Sequence, residues 1–160
     1  MARRSLLEQV RRNAVALISL VVAITSLTYN TWRNEHTEFN RNQRQSSFDI
    51  LARLGELQEL TFLNHYDCNF SIRGNVRSGW VLVQTIEDLT MVLQEFPATS
   101  IDNLQGVWAA NWEALHYESA AACQDRDDAR RARGREAADA ITTAIDAVRR
   151  DVLAVLRSLD

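Results

Sequence analysis

The chain has 160 residues, a formal net charge of -3, one proline, five glycines and two cysteines. That length holds one domain plus an extra element. The weak net charge gives no bulk field for nucleic acid or for an acidic surface, and few breakers among many Leu, Ala, Arg, Glu and Gln favour long helices.

Residues 1–12 crowd Arg3, Arg4, Arg11 and Arg12 against a single opposing Glu8. No charged side chain follows until Arg33. At a rise of about 1.5 Å per residue, residues 13–32 span roughly 30 Å as a helix, the thickness of a hydrocarbon core. Ser19, Thr25, Ser26 and Thr28 dilute the run, but their hydroxyls can bond back to the helix's own carbonyls. Tyr29 and Trp32 stand where an interfacial aromatic belt would lie, with Arg33 directly after them. The basic upstream flank predicts a cytoplasmic N-terminus and an extracytoplasmic remainder. A cleaved signal peptide is the competing reading; "TSLTYN" makes a poor cleavage site, and "RRSLL" only faintly matches a twin-arginine signal. The expectation is an uncleaved signal-anchor. On one face of it Ala16, Ser19, Ala23, Ser26 and Asn30 recur at spacings of three and four. Small residues in such a stripe let a partner helix approach closely in lipid, either a second copy or another membrane protein.

Residues 33–47 are polar, and Phe39 is their one large apolar side chain. Nothing in "RNEHTEFNRNQRQSS" breaks a helix, and strong helical segments bound it. The stretch is read as a helical stalk. From residue 48 to 160 four segments carry apolar residues at helical spacing. The first, Phe48 to Tyr66, shows Ile50, Leu54 and Leu57. The second, Ser78 to Phe96, shows Leu82, Ile86, Leu89, Leu93 and Phe96, and Pro97 stops it. The third opens with Ser100 as N-cap and shows Ile101, Leu104, Trp108 and Leu115. The fourth shows Ile141, Ile145, Val148, Val152, Val155 and Leu159. The four-three alternation is the seam of a left-handed bundle. The expected fold is therefore all-α: an N-terminal transmembrane helix continuing into an antiparallel up-down-up-down four-helix bundle.

The up-down order brings Cys68, just past the first bundle helix, and Cys123, placed at the end of the third, to the same membrane-distal end. A disulfide between them suits an extracytoplasmic compartment and would close a loop of about fifty-five residues, worth roughly 4 kcal/mol. A zinc site from His65, Cys68, His116 and Cys123 is disfavoured, because His116 and Cys123 lie about 10 Å apart along one helix axis. No phosphate loop, dinucleotide turn, HExxH or GxSxG occurs, so neither a cofactor nor an enzymatic activity is expected. Trp108 and Trp112 share a face and are the candidate lining of a small ligand pocket between helices.

The run "YNTWRNEHTEFNRNQRQSSFDILARLGELQEL", with "GW" at Gly79 and "NW" at Asn111, resembles a group of small, mostly uncharacterised membrane-anchored proteins of Gram-negative bacteria. The resemblance implies a single-pass inner-membrane anchor with a periplasmic body, and no activity. More loosely, the pattern is similar to periplasmic four-helix sensor domains of chemoreceptors. Those continue into a second membrane helix and a cytoplasmic output domain, and this sequence does not. The expected function is a non-enzymatic interaction or accessory subunit of a membrane complex. The alternative is a ligand-sensing module that signals through a partner subunit.

Overall fold

The computed structural model describes residues 13–67, 75–117, 119–124 and 128–159. The elements are α1 (Ala14–Tyr66), α2 (Ser78–Thr90), α3 (Ala98–Asn111), a 3-10 turn (Trp112–Leu115), the short α4 (Ala120–Gln124) and α5 (Asp128–Ser158). Two compact units are present, Met1–Arg41 and Asn42–Asp160.

In the first unit the described chain is helical from Ala14 onward, through the apolar run and into the polar stretch. In the second unit the later part of α1 packs with α2, α3 and α5 as four antiparallel helices. The protein is all-α, as the periodicity predicts.

The seam that α1 contributes to the bundle is longer than its apolar residues reveal. Gln43, Ser47, Ile50, Leu54, Leu57, Thr61 and Asn64 are all buried, and their spacing alternates four-three throughout. The bundle unit thus begins at Asn42, before Phe48, and Phe48 itself is exposed. The polar seam residues are buried without loss because each finds a backbone partner. Ser47 Oγ donates to the Gln43 carbonyl, Thr61 Oγ1 to that of Leu57 and Asn64 Nδ2 to that of Leu60, each at 2.8 Å.

Helix α2 ends at Thr90 rather than Phe96. Thr90 Oγ1 donates to the Glu87 carbonyl at 2.7 Å. Residues 91–95 then turn, with Glu95 in the left-handed region at φ 60°. Gln43 holds this turn from across the bundle. Its Nε2 donates to the Val92 carbonyl at 2.8 Å, and its Oε1 accepts from the Gln94 amide at 2.8 Å. Leu93 is buried from the turn, not from a helix.

The innermost residues of α2 are Gly79, Val83, Ile86 and Thr90. Leu82 and Leu89, expected on the seam, are only half-buried beside it. Helix α3 starts at Ala98, two residues before the expected cap. Pro97 takes the N-cap position, and the Ser100 hydroxyl donates to the Pro97 carbonyl at 3.3 Å. Ile101, Leu104, Trp108 and Leu115 are buried as expected, but Leu115 lies in the 3-10 turn. Cys123 sits on the separate α4, not on the third bundle helix.

Helix α5 runs for 31 residues and takes up most of the charged stretch "CQDRDDARRARGRE". Its buried seam is Ile141, Ile145, Val148, Val152 and Val155, with Leu159 half-buried. Arg149 Nη2 ties it to Gln58 Oε1 of α1 at 2.7 Å, and Arg44 Nη2 of α1 reaches the Leu159 carbonyl at 2.9 Å. Gly134 marks the close approach of α5 to α1. A Cβ there would lie 3.0 Å from His65 Nδ1 and 3.5 Å from the Tyr117 hydroxyl oxygen.

Candidate functional site

Two places in the chain carry features that folding alone does not require. The first is the apolar segment of unit one. Residues from Ala14 onward form a helix long and apolar enough to cross a membrane, and none of that window is buried. A core helix of a water-soluble protein would bury its apolar side chains. Here Val15, Leu17, Ile18, Leu20, Val21, Val22, Ile24 and Leu27 are all exposed. Moving such a set out of water is worth on the order of 10 kcal/mol. The segment could therefore be a membrane anchor or a signal sequence.

Two of its hydroxyls bond back to the helix's own carbonyls. Thr25 Oγ1 donates to the Val21 carbonyl at 2.8 Å and Thr28 Oγ1 to that of Ile24 at 2.9 Å. Such back-bonding satisfies both threonine hydroxyls within the helix itself. Ala16, Ser19, Ala23, Ser26 and Asn30 are exposed along this helix. Tyr29 and Trp32 stand together with ring centroids 6.2 Å apart, and Trp32 stacks on His36 at 6.0 Å, with Arg33 exposed beside them.

The second place is a groove in the bundle unit between α2 and α3, with a volume of about 390 Å³. Trp80, Gln84, Asp102, Gln105, Gly106 and Ala109 line it, over a floor that includes Val83. The two helices can leave a groove here because Gly106 and Ala109 present almost no side chain on α3. Trp80 walls it from α2 and is 40% exposed. Gln84 Nε2 donates to Glu87 Oε2 at 2.7 Å and to Asp88 Oδ1 at 3.2 Å, and Gln105 Nε2 donates to the same Glu87 Oε2.

This is not the pocket expected from the sequence. Trp108 is fully buried core, packed onto Gly79, and Trp112 is half-buried against the core; neither lines the groove. The Trp108 indole Nε1 finds no hydrogen-bond partner among the described residues. The groove residues carry no periodic signal. Their one hint is the small pair Gly106 and Ala109, three apart on a helix whose other face is bulky.

Cys123 is buried and disulfide-bonded. Cys68, its expected partner, lies outside the described residues. Near Cys123 in sequence, Arg130 places its guanidinium 5.0 Å from the Tyr117 ring centroid and donates to the His116 carbonyl at 3.3 Å. His65 is buried against Gly134, while His116 is exposed. Among the described residues no three His, Cys, Asp or Glu side chains gather in a metal-holding group.

Comparison with protein-family models, with curated proteins and with solved structures finds no match. The functional reading therefore rests on the chain's own residues.

Proposed function

We propose that this protein is a single-pass, non-enzymatic accessory subunit of a membrane complex. Its N-terminus lies in the cytoplasm of a Gram-negative bacterium, residues 13–32 cross the inner membrane, and the helical bundle stands in the periplasm. The face formed by Ala16, Ser19, Ala23, Ser26 and Asn30 packs on another membrane protein or on a second copy of this chain. The observation that carries the reading is the wholly exposed apolar helix that follows Arg3, Arg4, Arg11 and Arg12. Lipid covers such a surface, and basic residues stay on the cytoplasmic side.

The test is covalent capture from native membranes. All 18 basic side chains counted as Lys or Arg are arginines, so amine-reactive reagents find no lysine. A photo-crosslinking amino acid at Ala23 is the suitable reagent. It should yield one discrete adduct, lost when Ala16→Ile and Ser19→Ile are added. A ladder of adducts indifferent to those changes, or protein recovered wholly in the soluble fraction, refutes the reading.

A second reading is a ligand-sensing body that signals through a partner subunit. The groove beside Trp80 favours it, since its volume falls within the range of small-molecule sites.

A further inference from the structure

We infer that the groove between α2 and α3 binds a small organic cation, a quaternary ammonium or guanidinium compound. This rests on the second reading, that the bundle takes a small molecule, and adds the chemical class. The groove's one charged lining residue is Asp102, a carboxylate with no ion-pair partner among the described residues. Glu87 and Asp88 stand directly behind Gln84. No basic side chain lines the groove.

Its hydrogen-bonding capacity leans the same way. Both amide hydrogens of Gln84 are spent on Glu87 and Asp88, and Gln105 also donates to Glu87. What these carboxamides have left is chiefly acceptor oxygen. A guest must therefore bring donors or positive charge. An anion would meet the Asp102 carboxylate and two carbonyl oxygens, against which stand the second N–H of Gln105 and the Trp80 indole N–H.

Trp80, which lines the groove and is 40% exposed, supplies the remaining element. A cation within about 6 Å of an indole centroid is attracted by the ring quadrupole, most strongly where water is partly excluded. A groove of about 390 Å³ accepts a compound of small-metabolite size. Gly106 keeps the space open, for a Cβ built there meets nothing within 4 Å.

The test uses the full-length chain in a non-ionic maltoside, since zwitterionic detergents carry the headgroup under test. Choline and agmatine are titrated by calorimetry and by thermal shift, with succinate and glycerol as anionic and neutral controls. Saturable binding of at least one cation, and of neither control, is expected. Asp102→Asn should weaken it about tenfold or more, and Trp80→Ala should abolish it. Gly106→Leu fills the groove from an open helix face, so it should abolish binding while leaving the unliganded melting temperature unchanged or raised. Absence of cation binding at millimolar concentration overturns the inference, as does binding that survives Gly106→Leu. Binding of succinate or glycerol that Gly106→Leu removes overturns the cationic class and leaves the second reading standing.

Discussion

Gly79 of α2 lies against the six-membered ring of Trp108 on α3: a Cβ built at position 79 would sit 2.0 Å from Trp108 Cζ2 and 2.3 Å from Cη2. Trp108 is fully buried and has nowhere to swing. Glycine inside a helix is normally worse than alanine by about 1 kcal/mol. Here the close approach reverses that preference. Gly79→Ala is expected to destabilise the protein by about 1–3 kcal/mol, the usual cost of overpacking. Circular dichroism melts of the single variant and of Gly79→Ala with Trp108→Leu check this. The double variant should recover part of the loss relative to Trp108→Leu alone, and a single variant that melts higher than wild type defeats the packing account.

Gln43 makes a different kind of contact. Its carboxamide satisfies one backbone acceptor and one backbone donor in the turn after α2, at Val92 and Gln94. Gln43→Ala leaves both groups without that partner and should cost about 1–3 kcal/mol. Gln43→Glu can still accept from the Gln94 amide, but it buries a carboxylate against the Val92 carbonyl oxygen, so it should cost at least as much as Gln43→Ala. Hydrogen exchange at the Gln94 amide reads the contact locally. Unchanged protection in Gln43→Ala would show that the turn does not depend on it.

The bundle was legible because apolar spacing is a strong signal: Ile50, Leu54 and Leu57, then Ile101, Leu104 and Trp108, then the Ile141 to Val155 series, all proved buried. Polar ends of the same seam were not. Gln43, Ser47, Thr61 and Asn64 continue the four-three rhythm, but each is polar and counts as surface until its backbone partner is seen. The rotation of α2 was also hidden. Leu82 and Leu89 outweigh Gly79 and Val83 in hydrophobicity, and only the Trp108 ring seated on Gly79 selects the narrower face. The groove escaped for a related reason. It is made by what Gly106 and Ala109 lack, and its walls come from two helices whose register no periodicity reveals.

Gly55 and Gly106 provide the contrast to Gly79. Both lie inside helices with nothing within 4 Å of a built Cβ and with negative φ. Gly55→Ala and Gly106→Ala should each stabilise by about 0.5–1 kcal/mol through helix propensity and a less free unfolded chain. Denaturant titrations with an unchanged slope would record this as a shifted midpoint. Loss of stability at Gly55 in the purified protein would mean that α1 is crowded on that face.

The disulfide and the compartment can be tested together. Cys123 is disulfide-bonded on α4, and the expected bridge to Cys68, across a loop of about fifty-five residues, would contribute about 4 kcal/mol on the chain-entropy model. Reductant should therefore lower the melting temperature of wild type and leave Cys123→Ser unmoved. In cells, the bridge forms only if the bundle reaches an oxidising space. Alkylation of thiols in freshly acid-quenched cells should label neither cysteine, and a periplasm-active reporter fused after Asp160 should be active. A cytosol-active reporter fused at the same point should be silent. Two alkylated thiols together with the opposite reporter pattern would place the bundle in the cytoplasm and overturn the proposed orientation.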